Sequence, residues 1–255
     1  MPSIDPIPAF MDNYIWVIRN SQHAAAVDPG DAAPLLDYLE SEHLDLVAIL
    51  NTHHHADHVG GNLELKERFS CSIYGPATES IPGLTHPVNG GDKVALPELG
   101  MDFEVIDIPG HTLGHIAYYG NDALFCGDTL FGCGCGRVFE GTMEQMHASL
   151  EKLSSLPENT RVYCAHEYTL ANIRFAKAVE PYNEAILNRE MEDAELRKRG
   201  LPTLPSTISL ERSTNPFLRC GVHDVTLSAQ RHAGKQLDDR ASVFETLRMW
   251  KNGYK

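Results

Sequence analysis

Thr52-His53-His54-His55-Ala56-Asp57-His58, which closes the apolar run Leu44 to Leu50 and leads into Val59-Gly60-Gly61, crowds four potential metal ligands into six residues. The apolar run reads as a strand, and at an extended strand end His53 and His55, two apart, point to the same side. Asp57 and His58 fall where the chain turns into a helix and aim elsewhere, so one short loop can serve two metal ions. The H-x-H-x-D-H pattern counts from His53; counted from His54 it would put Ala56 and His58 at the second histidine and the aspartate, which makes His54 the bystander. A histidine-rich solvated turn is the plain alternative, and the preceding strand argues for metal instead.

A dinuclear site needs further ligands from other strand ends, because only several loops together can surround an ion from a flat sheet. His111 lies in Ile108-Pro109-Gly110-His111-Thr112-Leu113-Gly114-His115, after the alternating run Met101 to Ile108. Asp128 follows Ala123-Leu124-Phe125-Cys126-Gly127, and His166 follows Arg161-Val162-Tyr163-Cys164-Ala165. Each of these alone reads as a turn former or a satisfied polar group; together with the first loop they read as ligands. Imidazole and carboxylate donors suit zinc, iron or manganese, and none of the candidates is a thiolate. His115, Thr112 and Tyr163 read as supporting or core groups.

A chain of 255 residues can bury a sizeable core. It shows no basic-plus-apolar leader, and no apolar run approaches the ~20 residues that a membrane span needs, so a soluble cytoplasmic protein is expected. With 21 basic against 35 acidic residues, the net charge of -14 argues against nucleic acid as a partner. The six cysteines do not read as a disulfide framework. Cys133-Gly134-Cys135 reads as a tight, packed loop rather than a redox pair or third metal site.

Strand-like runs cover Tyr14 to Ile18, His23 to Val27, Leu46 to Asn51, Ser72 to Tyr74, Phe103 to Ile108, His115 to Tyr119, Ala123 to Cys126 and Arg161 to Cys164. Helical patterns interleave at Ala32 to Glu42, Asn62 to Phe69 and Met143 to Leu156, the last capped by Thr142. After His166 helix formers dominate: Leu170 to Val179, Tyr182 to Lys198 and Ser242 to Lys251.

The order THxHxDH, PGHTxGH, GDTLF and AHEY, read at Thr52, Pro109, Gly127 and Ala165, resembles the metallo-β-lactamase superfamily, and the combination is similar to the glyoxalase II (hydroxyacylglutathione hydrolase) family. The similarity covers essentially the whole chain, including Asn13-Tyr14, Val27-Asp28-Pro29-Gly30 and Asn215-Pro216-Phe217-Leu218-Arg219. The resemblance implies an α+β fold: an αββα sandwich over residues 1–168 and a small helical, substrate-binding domain over 169–255. It also implies two divalent ions, zinc ahead of iron or manganese. His53, His55 and His111 would bind one, Asp57, His58 and His166 the other, and Asp128 would bridge. Arg137, Tyr168, Arg248 and Lys251 match in type the residues that meet glutathione in the family. Phe139 stands where many relatives carry tyrosine, so a hydroxyl contact is lost there.

The expected substrate is then S-D-lactoylglutathione, hydrolysed to glutathione and D-lactate in methylglyoxal detoxification, with Asp57 and Asp128 in the catalytic set. Two dications held by neutral imidazoles and two carboxylates keep a net positive charge, so a bridging water ionises near neutral pH and attacks the thioester carbonyl, and the thiolate leaves. A monomer working on a small molecule is expected, without nucleic acid or membrane. A β-lactamase or lactonase would use the same metals without the Arg-x-x-Lys tail, a persulfide dioxygenase would keep one iron, and a structural zinc module would close its shell with four ligands.

Overall fold

Strands β1 (Ser3–Ala9), β2 (Asn13–Arg19) and β3 (His23–Val27) pair antiparallel, and β4 (Asp45–Leu50), β5 (Ser72–Pro76) and β6 (His86–Val88) extend them in parallel, giving the order β1-β2-β3-β4-β5-β6. Parallel neighbours need crossovers. Helix α1 (Ala32–Glu42) supplies the first, and the short α2 (Ala56–Val59) with α3 (Asn62–Phe69) supplies the second. Asp31 starts α1 by accepting from Ala33 N, and His43 stops it in the left-handed region at φ 56. Leu35 and Leu39 of α1 and Leu65 of α3 are buried in one cluster with Ile15, Val17, Leu46, Ile49 and Ile73 of the sheet. Each such side chain contributes about 1.5–3 kcal/mol by leaving water.

Parallel pairing has a consequence for chemistry. The chain leaves β3, β4 and β5 at the same end of the sheet, so segments far apart in sequence meet beyond their carboxyl ends. Strands β7 (Lys93–Leu96), β8 (Met101–Asp107), β9 (Ile116–Gly120) and β10 (Ala123–Gly127) form an antiparallel run in that order, and β8 alternates buried and solvent-facing residues. A backbone hydrogen bond from Ile116 N to Thr52 O, 3.0 Å, and another from Tyr118 Oη to Asn51 O, 3.0 Å, tie β9 to the histidine loop.

The computed structural model describes residues 2–254 and divides into two compact units. The elements above belong to the first, which ends at Asp107 and adds Gly114–Gly127. The second takes Ile108–Leu113 and the described residues from Asp128 onward. It holds the hairpin β11 (Leu130–Phe131) with β12 (Gly134–Cys135), α4 (Met143–Ser154), β13 (Arg161–Cys164), α5 (Thr169–Val179), α6 (Glu184–Lys198), β14 (Ser206–Thr207) paired with β13, α7 (Ile208–Thr214), a 3-10 turn (Pro216–Leu218), α8 (His223–Ala233) and α9 (Arg240–Gly253). Cys133 packs with Ile173, Ala176 and Ile186, so residues before 168 share a core with helices after it. Packing therefore groups the chain differently from the composition change at 168, because the hairpin before it buries its apolar side chains against α5 and α6.

Helix α4 begins with a full capping box between Thr142 and Gln145. Helix α6 starts two residues later than its apolar pattern, because Asn183 caps it by accepting from Ala185 N and Ile186 N. Among the described residues, no helix is long and apolar enough to cross a membrane.

Candidate metal centre

The first unit carries His53, His55, Asp57 and His58. His53 is fully buried at the end of β4, and its Nε2 lies 3.1 Å from His55 Nδ1. His58 Nε2 lies 3.5 Å from Asp57 Oδ2, and Asn13 Nδ2 donates to that same oxygen at 3.1 Å. The loop thus offers two pairs of donor atoms, one from His53 and His55 and one from Asp57 and His58. His54 turns aside to Glu79, with Nδ1 2.9 Å from Oε2.

Asp28 organises this loop. It leaves β3 in the left-handed region at φ 50, is buried, and accepts from Thr52 N at 2.8 Å and Thr52 Oγ1 at 2.7 Å. Its Oδ2 also faces His58 Nδ1 at 3.1 Å. An imidazole that donates from Nδ1 presents the Nε2 lone pair to a metal, and the carboxylate raises its basicity. Gly30 is required here, since a Cβ would stand 1.9 Å from Asp57 O. His115 stacks on His53 with ring centroids 4.5 Å apart, and its Nδ1 donates to Ile116 O at 3.0 Å.

The second unit carries His111, Asp128 and His166. Asp128 sits between the two imidazoles: Oδ2 lies 3.4 Å from His111 Nε2, and Oδ1 lies 3.3 Å from His166 Nε2. His111 Nδ1 donates to Arg137 O at 2.8 Å, which fixes Nε2 as the lone-pair nitrogen. His166 stacks face to face on Tyr168 at 4.9 Å and meets the edge of Phe131 at 5.8 Å. A carboxylate with one oxygen toward each of two imidazoles is a donor set that suits divalent ions, and these residues fit such ions.

A cavity of about 480 Å³ opens beside His111 and Asp128. Arg137, Phe139, Tyr168, Arg248 and Lys251, the five residues singled out for substrate, all line it. Their contacts differ. Phe139 is 61% exposed and lies over His111 with centroids 5.2 Å apart. Arg248 is buried, donates from Nη1 to Cys135 O at 2.7 Å and covers Phe217 at 5.1 Å. Lys251 donates to Ala171 O at 3.1 Å and lies 5.4 Å over Phe175. Burial, with Arg248 and Arg174 nearby, lowers the Lys251 ammonium to about 8.

All six cysteines are buried and none is in a disulfide. Burial pushes the Cys133 thiol up to about 12, and Cys135 and Cys164 also rise. These three thiols are therefore protonated at neutral pH. Sequence reasoning did not single out Asp28, Asn172, Glu211 or Asn215 as site residues. Asp28 carried a signal in its place at the end of β3 before Pro29-Gly30, and Asn215, between α7 and the 3-10 turn, carried one in the Asn215-Pro216-Phe217 stretch; Asn172 and Glu211 lie on helices among many polar residues and carried none.

Comparison with known proteins adds to this geometry. Residues 10–166 match the family model of the metallo-beta-lactamase superfamily, and residues 167–254 match that of the hydroxyacylglutathione hydrolase C-terminus. The chain is 54% identical over 254 residues to a hydroxyacylglutathione hydrolase of Nitrosomonas eutropha, covering 100% of each. It is 53% identical to one of Thiobacillus denitrificans, covering 99% of this chain and 98% of that one. Among solved structures, the di-iron-bound form of TTHA1623 is similar, with TM-score 0.60 and 26% identity over 84% of this chain and 100% of that one. ETHE1 from Myxococcus xanthus shares the fold at TM-score 0.66 and 23% identity, covering 97% and 89%.

Proposed function

The chain belongs to the hydroxyacylglutathione hydrolase family of the metallo-β-lactamase superfamily, and from that premise we propose that it hydrolyses S-D-lactoylglutathione to glutathione and D-lactate at a site holding two divalent ions. In this reading His53, His55 and His111 would hold one ion, Asp57, His58 and His166 would hold the other, and Asp128 would serve both. The observation that carries it is Asp128, with its two oxygens 3.4 and 3.3 Å from two different imidazoles beside a cavity lined by basic side chains. Bound there, the ions would supply Lewis-acid polarisation of the carbonyl and would lower the pKa of a water toward neutrality. The rest falls to the chain.

Asp28 and the Arg137 carbonyl hold His58 and His111 in the tautomer that offers Nε2. Asp57, which accepts from Asn13, orients the attacking water. Arg248, Lys251 and Arg137 meet the anionic glutathione portion, and Tyr168 and Phe139 cover it. The departing thiolate needs little protonation, because a thiol is far more acidic than an alcohol or amine. Zinc leads for the metal, and the iron named for TTHA1623 is the alternative. Six buried cysteines, none of them in a disulfide, support a cytoplasmic location, and a monomer completes the proposal.

The test is purified protein assayed on S-D-lactoylglutathione, with metal measured in parallel. Hydrolysis that a chelator abolishes and divalent metal restores is the expected result. A preparation loaded with two ions but inert toward this substrate would overturn the reading.

A further inference from the structure

His54 stands in the chain between His53 and His55, and its own ring is anchored. Its Nδ1 lies 2.9 Å from Glu79 Oε2, and its ring meets that of His55 with centroids 5.0 Å apart. A carboxylate only accepts, so His54 Nδ1 is the donor. The other oxygen, Glu79 Oε1, accepts from Gly114 N at 2.9 Å. Glu79 is itself held firmly. It sits in the turn that follows β5, where Glu79 N donates to Pro76 O at 3.2 Å and Ala77 N to Val88 O at 2.9 Å, and Ile81, two residues on, is buried in the core. Its side chain is only 5% exposed, and a carboxylate so placed needs donors to offset its lost hydration. Gly114 lets the turn come this close, since a Cβ there would stand 2.4 Å from Thr78 Oγ1 and 2.6 Å from Glu79 Cγ. Gly114 leads directly into His115, whose ring stacks on His53, and Ile116 N then donates to Thr52 O.

We propose that Glu79 is a positioning residue for the histidine loop: with one oxygen on His54 and the other on Gly114, it clamps the His53–His55 strand end between the turn after β5 and the residues entering β9. The loop needs such a clamp. To bind one ion, His53 Nε2 and His55 Nδ1 must both present lone pairs, and two lone pairs facing each other at 3.1 Å repel until a cation sits between them. The surrounding structure has to hold that arrangement against the repulsion. Glu79 does so from two sides. Through His54 it fixes the residue that joins the two donors, and through Gly114 it keeps the His115 ring against His53. The histidine that the H-x-H-x-D-H pattern leaves without a ligand role is thus the handle by which the run is held. Loss of the carboxylate frees both contacts at once, and the ion at His53 and His55 is bound less tightly. Asp57 and His58 keep their own support, because Asp28 holds His58 and Asn13 holds Asp57.

The inference rests on the hydrolase reading through the ligand roles of His53 and His55, and metal affinity tests it without substrate. Zinc is titrated into chelator-stripped protein against a competing indicator, and both dissociation constants are measured. Glu79→Ala should weaken one ion about 10- to 100-fold and leave the other within a few-fold. In the same metal-free variant, hydrogen exchange at the Gly114 amide should speed up, and proton–nitrogen spectra of the His54 ring should lose the Nδ1–H signature of the wild type. Glu79→Gln keeps one acceptor and gains a donor, so it can hold Gly114 and meet His54 in the opposite tautomer. It should recover most of the affinity while the His54 proton moves to Nε2. Excess zinc should restore kcat of Glu79→Ala on S-D-lactoylglutathione. If Glu79→Ala does not fold, His54→Ala removes the same contact from its other end and should weaken the same single ion. Unchanged affinity in Glu79→Ala, or equal loosening of both ions in step with a fall in melting temperature, would overturn the proposal and make Glu79 a support of the fold alone. A wild-type protein that binds both ions but is inert toward glutathione thioesters would refute the substrate, while the single-ion loss still decides the positioning.

Discussion

Asp128 presents its two oxygens to two different imidazoles, so removing that carboxylate touches both halves of the ligand set, whereas removing one imidazole touches one. Asp128→Ala is expected to lose both ions and His111→Ala chiefly one, read by elemental analysis of each protein. A fully active wild type with one ion per chain would sink the dinuclear assignment. Asp28 acts one step further out, holding His58 at 3.1 Å. Asp28→Ala should weaken metal binding about 10- to 100-fold. Lys251 adds a pH dependence whose sign follows from its burial. Its ammonium is lowered to about 8, so the charged form that attracts an anionic thioester is present below that pH and is lost above it. KM for the glutathione substrate should therefore rise above about pH 8, and the Lys251→Ala profile should be flat there; an identical rise in that variant would assign the titration to another group.

At the scale of elements, the β11–β12 hairpin separates backbone from side chain. Its backbone is clasped by Asn172, Glu211, Asn215 and Arg248, while its two thiols are buried and protonated. Replacing Cys133 and Cys135 together by alanine should thus leave kcat within a few-fold and lower the melting temperature; lost activity in a folded, metal-loaded double variant would contradict a thiol-independent mechanism. Glu211 should behave differently. It is fully buried against Arg189, so Glu211→Ala leaves that buried guanidinium with Asp193 as its carboxylate partner and an Nη2 that loses its charged acceptor, and should cost about 3–5 kcal/mol of stability in urea unfolding. The sequence made some of this plain and hid the rest for physical reasons. Helices α1 and α3 matched their apolar periodicity end to end, and Thr142 announced α4 through a local capping box. Strand β1 was missed because Pro6 and Pro8 argue against a strand, yet an edge position with one partner tolerates their missing N–H. Helix α8 was missed too, since its polar residues mask a stripe of only Val225 and Ala229 in the core. The histidine loop was legible because metal binding concentrates rare residue types in a short span. The clasp on the hairpin was not, because single polar side chains on α5, α7 and α9 look like any solvated helix face until the chain has folded.

The whole molecule is strongly acidic, with a net charge of -14, and its proposed substrate is an anion. Two electrostatic effects of opposite sign therefore act on binding: repulsion by the general field and attraction by the basic groups at the cavity. Both weaken with salt, but over different distances. At physiological ionic strength the Debye length is about 8 Å, so the distant acidic residues are already largely screened, while a partly buried cation in contact with the ligand is screened much less. Attraction by Lys251 and Arg137 should then dominate, and raising the salt should raise KM for S-D-lactoylglutathione in the wild type. Removing both cations by Lys251→Ala with Arg137→Ala leaves the acidic field opposed at the cavity by the buried Arg248 guanidinium alone among the three basic residues lining it. In that double variant KM should start about 10- to 100-fold higher, the loss expected of one or two partly screened charge-assisted contacts, and added salt should now lower it slightly. The check is a KM series from low to high ionic strength on both proteins, with a neutral thioester as the control. A wild-type KM that falls with salt would mean that the acidic field outweighs the cavity, and the assignment of Lys251 and Arg137 to glutathione docking would fail.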